Sequence, residues 1–457
     1  MTRDNTTRRR FLATSGATAM AAGLAGCTDR LNSLRSNGDG DGDGNGNGND
    51  TGNGNDSNGS EDGNDTDGNE DGNGVPALET EYNSREEYRQ PGDSIDDFED
   101  LGPWEVVQGS GEADEEVVFD GSQSFHLTAD EDENIVVERE LSDVDLTDLD
   151  LSFAVRTTTP DRITINVRVV DSYGSERVYS LREITYRAPD VGWFRSSPGV
   201  FEESSIEPMM DDVATLQFQV LHSMPEAEVW IDDLRAVPTA DNGYVMLSWD
   251  DGTLDFLEKA SPLHDEYGFS AVQAAVPRWS EEARDGIMST SQLKERQEAG
   301  DQIVTHGTHS RMHEYDDEDQ LDGRLRGDKN WLIQHEFMGA DFIVYPHNSY
   351  DATSLEYISK YHYCGGFNQA GNVNTTNVHG FDPLALPRTI GHDLDIAKRC
   401  VDLAGAYNQC TILNFHEFSA NNTMPEEDYE ELLAYIDESD VEVITFDELW
   451  EMRTSGN

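Results

Sequence analysis

Asp250 and Asp251 stand side by side at the end of the apolar run Tyr244-Val245-Met246-Leu247-Ser248-Trp249, and the chain downstream supplies His306, His309, His313 and His416. A packed core has no use for adjacent carboxylates and clustered imidazoles. A metal-assisted hydrolase does. One carboxylate and two imidazoles can hold a divalent cation with a coordination position left open, and the second carboxylate can deprotonate the water there. A separate histidine can then protonate the leaving group.

Such residues act together only if the fold gathers them. After Asn242, short apolar runs alternate with helical segments: Val245 to Leu247 and a helix through Leu257, Ala271 to Ala275 and a helix around Leu293, Ile303 and Val304, Phe342 to Tyr345 and a helix through Leu355 and Ile358. Leu384 to Leu386, Ile396 to Leu403, Ile412 to Phe415, Tyr429 to Ile436 and Val441 to Ile444 continue the series. Repeated strand-then-helix units predict a parallel barrel, whose strand ends converge on one rim. Asp250, Asp251, His306, His347, Arg388 and His416 each fall just past the C-terminal end of an expected strand.

Upstream the period is two. Leu151, Phe153 and Val155 alternate with other residues, as do Ile163, Ile165, Val167 and Val169, and Leu216, Phe218 and Val220. This predicts an antiparallel β-sandwich over residues 96–240 ahead of the barrel at 243–457. Asp96-Asp97-Phe98-Glu99-Asp100 with Trp104, and Val229-Trp230-Ile231-Asp232-Asp233-Leu234, resemble the first and last strands of jelly-roll carbohydrate-binding modules. Trp104, Tyr179, Tyr186 and Trp193 are either sugar platforms or core.

The charge is lopsided: 93 Asp and Glu against 31 Lys and Arg, a formal net charge of -62 over 457 residues. The excess is spread along the chain. Such self-repulsion suits very high ionic strength, where the Debye length falls to roughly 3 Å, and it excludes nucleic acid as a partner. Residues 28–95 are expected as an acidic tether, almost wholly Gly, Asp, Asn and Ser with some Glu and Thr from about Asn37 to Gly74. Before it, Thr7-Arg8-Arg9-Arg10-Phe11-Leu12 and a small apolar stretch ending Leu24-Ala25-Gly26-Cys27 resemble a twin-arginine export signal closed by a lipobox. That resemblance implies cleavage before Cys27, lipid on its sulfur, and a cell-surface protein that meets the membrane only through the anchor. Cys364, Cys400 and Cys410 have no metal or redox spacing; a Cys400–Cys410 disulfide and three buried thiols both remain open.

The motif order over residues 243–457 resembles the polysaccharide deacetylase (NodB homology) family, which implies a deformed (β/α) barrel. Ser248-Trp249-Asp250-Asp251-Gly252 stands where the family has Thr-Phe-Asp-Asp-Gly, implying Asp250 as general base and Asp251 as metal ligand. His309-Ser310-Arg311-Met312-His313 fits the family's His-[Ser/Thr]-x-x-His literally, yet Gly300 to His306 fits its approach strand. The preferred ligands are therefore His306 and His309, with His313 as the alternative. Tyr345, Pro346 and His347 occupy the substrate-groove motif, but the arginine that precedes the family's proline and braces the catalytic aspartate is absent. Either Arg388 braces from another strand or Asp250 is oriented differently. Leu413-Asn414-Phe415-His416 resembles the last motif, implying His416 as general acid and Leu413 near the acetyl methyl.

The implied reaction is hydrolysis of the acetamide of an N-acetylated hexosamine in a glycan, with zinc the default ion for two histidines and an aspartate, although other divalent metals fit. An N–H of the 345–348 loop is the expected oxyanion donor. Two other readings stay open: an O-acetyl polysaccharide esterase, and a catalytically silent glycan-binding lipoprotein.

Overall fold

The computed structural model describes residues 77–455 apart from 82–83, 132, 183, 186–189, 316, 370–372 and 419–422. The export signal, Cys27, the tether up to residue 76 and Tyr186 lie outside the described residues.

Alternating burial builds the first layer pair. Along Ile163–Asp171 the odd-numbered residues are buried and the even-numbered ones half-exposed, as a sheet with one covered face requires. Two six-stranded sheets result. One carries Ser124–Asp130, Glu226–Pro238 and Leu149–Thr157 at its centre; the other carries Ile163–Asp171, Val213–His222 and Ile135–Val144. Their covered faces meet: Phe153 of one sheet packs edge-on to Phe218 of the other, ring centroids 5.3 Å apart, forming a sandwich. Trp104 and Tyr179 are buried in this core, and the Trp104 Nε1–H donates to Asp96 Oδ2 at 2.8 Å. Neither is a sugar platform.

Residues 84–95, expected as tether, are instead part of the folded body. Asp93–Asp96 pairs with Glu226–Pro238. Arg85 Nη2 donates to the Trp193 carbonyl at 2.7 Å and pairs with Asp382. A mixed-charge segment with such partners gains more than its ordering costs, which composition alone does not reveal.

Among the described residues the carboxy-terminal half contains eight parallel strands: β1 (Gly243–Asp251), β2 (Val272–Ala275), β3 (Gln302–Thr305), β4 (Phe342–Val344), β5 (Tyr363–Gln369), β6 (Leu386–Ile390), β7 (Cys410–Phe415) and β8 (Val441–Val443). β1 pairs with β2 through Ser248 to Asp251 and with β7 through Tyr244 to Trp249, so the first seven strands close on themselves. β8 adds beside the start of β1. Side-chain parity then divides the barrel. Val245, Leu247, Trp249, Leu413 and Phe415 pack outward against Cys400, Val401, Tyr429 and Leu432 of the covering helices. Met246, Val272, Val304, Val344, Leu386 and Ile412 fill the inside. Asp250 and Arg388 continue the inward series of β1 and β6 at the rim.

Sandwich and barrel belong to one compact unit, Gly74–Asn457. Their seam is polar and buried: Ser152 Oγ donates to the Gly380 carbonyl at 3.0 Å, Thr185 Oγ1 to that of Asn348 at 2.6 Å, and Tyr350 OH to that of Ile184 at 2.6 Å. Cys400 and Cys410 are free and buried. Among the described residues no helix is long and apolar enough to cross a membrane.

Candidate active site

The end of β1 sets the geometry. Asp251 has φ +70° and Gly252 φ +67°, a left-handed pair that turns the chain away and leaves both carboxylates at the rim; glycine takes that conformation without strain. Asp250 is fully inside. Its Oδ1 and Oδ2 accept from Arg388 Nη1 and Nη2 at 2.9 and 3.1 Å, and Nη1 also donates to Ser248 Oγ at 2.9 Å. The side chains are 0 and 2% exposed, so this is a buried bidentate pair with planar complementarity. Arg388 braces Asp250 from β6. Burial alone would raise the Asp250 carboxyl, but Arg388, then His306 and His416, hold it well below the usual carboxylate range. It is an anion at any physiological pH.

The imidazoles surround this anion without bonding to it. His306 Nδ1 lies 3.0 Å from the Val344 carbonyl; a carbonyl only accepts, so Nδ1 carries a proton, and Nε2 is the ring nitrogen turned toward the carboxylates. That Nε2 lies 3.9 Å from Asp250 Oδ2 and 3.9 Å from Asp251 Oδ1. His309 Nε2 stands 3.5 Å from the same Asp251 oxygen, which makes no hydrogen bond among the described residues. His309 also has a positive φ of 58°, and its ring lies 4.6 Å from that of Trp279. Burial lowers the His309 imidazole, partly opposed by Asp251. His416 presents Nε2 to Asp250 Oδ2 at 3.9 Å, from the loop just past β7.

These atoms suit a cation. Donors bound to one ion at about 2.0–2.1 Å stand roughly 3.0–3.5 Å from one another, and an orphaned buried carboxylate oxygen facing two imidazole nitrogens is the donor set such an ion needs. Among the described residues no three His, Cys, Asp or Glu side chains stand in ligating geometry. His306 and His309 lie with ring centroids 6.1 Å apart.

The other expected residues divide. His313 does not join Asp251; its Nδ1 meets Ser349 Oγ at 2.5 Å. Tyr345 is fully buried and its OH donates to the Leu384 carbonyl at 2.7 Å, while Pro346 is buried beside Gly307. His347 is exposed, at φ +56°, with its Nε2 3.3 Å from the His309 carbonyl. Leu413 is not at the rim. Its position in β7 turns it outward to the helix layer, among Leu247, Trp249 and Phe415, so it cannot receive an acetyl methyl at Asp250.

Residues 238–365 match the model of the polysaccharide deacetylase family. That deacetylase match contains Asp250, Asp251, His306, His309 and the Tyr345 to His347 motif, whereas Arg388 and His416 lie beyond it. Among solved structures, the Xyl-CE4 domain of a multidomain xylanase from the hindgut metagenome of Trinervitermes trinervoides is 13% identical, over 46% of this chain and 91% of that one, at a TM-score of 0.35. A family 4 carbohydrate esterase from Streptomyces lividans in complex with acetate is 18% identical, over 43% and 91%, at a TM-score of 0.29. A family 11 carbohydrate-binding module of a Clostridium thermocellum cellulosomal cellulase is 14% identical, over 33% and 95%, at a TM-score of 0.24. No curated protein matches the chain.

Sequence reasoning misses two residues at this site. Trp279 follows β2 and contacts His309; His392 follows β6, and its ring lies 5.6 Å from that of His416. Burial pushes His392 down to about 4. A signal exists for both, since each falls just past a strand end.

Proposed function

We propose that the barrel is a metal-dependent hydrolase that removes N-acetyl groups from hexosamine units of an extracellular polysaccharide. The observation that carries this reading is the buried Asp250–Arg388 pair, with the Nε2 atoms of His306 and His416 each 3.9 Å from its Oδ2. A carboxylate kept anionic but not enclosed by donors is free to take a proton. The family match over residues 238–365 supports carbohydrate deacetylation as the reaction class.

Asp251, His306 and His309 would hold the ion, zinc by default. Bound there, it would supply Lewis acidity and a more acidic water. The chain does the rest. Asp250 accepts the proton of the attacking water, Arg388 fixes the plane of its carboxylate, and the 345–348 loop offers backbone N–H groups to the oxyanion. His416 protonates the departing amine, so acetate leaves and a free amine remains on the sugar. The same reading takes the chain to the cell surface by the twin-arginine route, tethered through Cys27.

The test is acetate release from N-acetylated and O-acetylated oligosaccharides in multimolar salt, with and without a chelator. Release from the N-acetylated probe that a chelator abolishes and added zinc restores is the expected result. Release confined to the O-acetylated probe would replace the amidase by an esterase, and no release from either would leave a glycan-binding protein.

A further inference from the structure

A groove of about 620 Å³ opens on the same rim, lined among others by Arg278, Trp279, Arg284, Tyr315, Arg324 and Asp328. Gly307 and Thr308, between His306 and His309, form its wall nearest the site. Volumes of this order accommodate ligands of several rings. Its charge runs against that of the molecule. Acids outnumber bases by 93 to 31 over the chain, yet here three arginines face two acids, Glu282 and Asp328.

Those acids do not saturate the arginines. Glu282 is taken by Arg278 at 2.8 Å. Desolvation pushes Asp328 up to about 7 despite Arg324, so near neutrality it carries only part of its charge. Arg284 lays its guanidinium on the Trp279 ring, 4.2 Å from the centroid. Neither Arg284 nor Arg324 forms an ion pair among the described residues, and both are exposed. Elsewhere buried or half-buried arginines hold carboxylates, Arg139 on Asp96 and Arg195 on Asp233 among them. Two free planar forks in an acidic protein, beside the reacting centre, fit an anion that comes from outside. High salt does not remove such recognition, because screening over roughly 3 Å at 1 M leaves contact-range hydrogen bonds in place.

We propose that this groove is the subsite for an anionic group, a carboxylate or a sulfate, on a sugar neighbouring the acetylated one, so that the substrate is an acidic polysaccharide. The substrate class rests on the deacetylase reading; the anion subsite does not.

Calorimetry on the full chain carrying Asp250→Asn, which stops turnover, measures binding of three probes in multimolar salt. They are an N-acetylglucosamine tetramer, an oligosaccharide alternating N-acetylglucosamine with glucuronic acid, and a 6-sulfated N-acetylglucosamine oligomer. At least one charged probe should bind about tenfold tighter than the neutral one, and Arg284→Gln with Arg324→Gln should erase the preference. The charged probe that binds tighter identifies carboxylate or sulfate. Arg324→Gln alone, on an exposed helix face, should reduce the preference even where Arg284→Gln loosens Trp279. Equal binding of all three probes, or a preference that survives both substitutions, overturns the subsite. Acetate release by the unsubstituted chain separates the two readings: no release with the preference intact removes the deacetylase and keeps the anion site. Release with equal kcat/KM on charged and neutral probes does the reverse.

Discussion

The sandwich and the barrel each bury an arginine–aspartate pair, and the two pairs are finished differently. In the sandwich, Arg195 pairs with Asp233 and also donates to the Arg89 carbonyl at 2.5 Å, to Ser152 Oγ at 3.3 Å and to the Asp233 carbonyl at 3.1 Å. Arg235 takes the remaining Asp233 oxygen at 2.9 Å. In the barrel, Arg388 Nε has no hydrogen-bond partner among the described residues, and the imidazoles around Asp250 stop at 3.9 Å. A buried polar group normally has at least one hydrogen-bond partner. Where the chain answers the whole pair, the pair holds structure together; on the proposed reading, the carboxylate lone pairs left at the rim serve a reactant.

That contrast breaks most visibly under neutralisation of each aspartate. Asp250→Asn and Asp233→Asn both leave a guanidinium buried without its counter-charge, so each should lose stability, on the order of 3 kcal/mol in denaturant unfolding. Only Asp250→Asn should also lower kcat, by roughly 10²- to 10⁴-fold, the usual share of a general base. Comparable turnover losses in both variants would mean that the two pairs differ in nothing but location. Arg388→Met sharpens the same point from the other partner. It leaves the Asp250 carboxylate buried alone, and an unfolding experiment should show a loss of about 3–5 kcal/mol, while the proposed ligands Asp251, His306 and His309 are untouched, so elemental analysis should find the same zinc content as in the unsubstituted chain.

How far this was legible in the sequence depends on the range of each signal. Strand-to-helix alternation after Asn242 and the placement of Asp250, His306 and His416 at strand ends are local patterns, and parallel barrels turn such ends toward one rim. β5 was not legible, because Tyr363-Cys364-Gly365-Gly366 offers no apolar run. Nor was the helix Glu318–Gln334, where Gly323 and Gly327 interrupt a stripe of Leu321, Leu325 and Leu332. Motif position assigns Leu413 to the rim, but one residue of parity sends it to the helix layer. The Arg388–Asp250 bond joins residues 138 positions apart, and no local pattern distinguishes it from a different orientation of Asp250.

The seam gives the smallest effect and the subtlest challenge to the division of labour between the halves. Thr185 of the sandwich donates its hydroxyl to the carbonyl of Asn348 at 2.6 Å. His347 and Asn348 both have positive φ, 56° and 49°, a conformation that non-glycine residues hold only when their surroundings enforce it. Tyr350 OH on the Ile184 carbonyl is the second tie to the same loop. Thr185→Val keeps the volume and removes one donor, so it should cost about 1 kcal/mol in stability. If the sandwich braces the rim as well as itself, the same substitution lowers kcat/KM several-fold on every acetylated probe, because the loop's backbone N–H groups lose their alignment. A stability loss with unchanged kcat/KM would confine the sandwich to holding its own fold and leave the rim to the barrel alone.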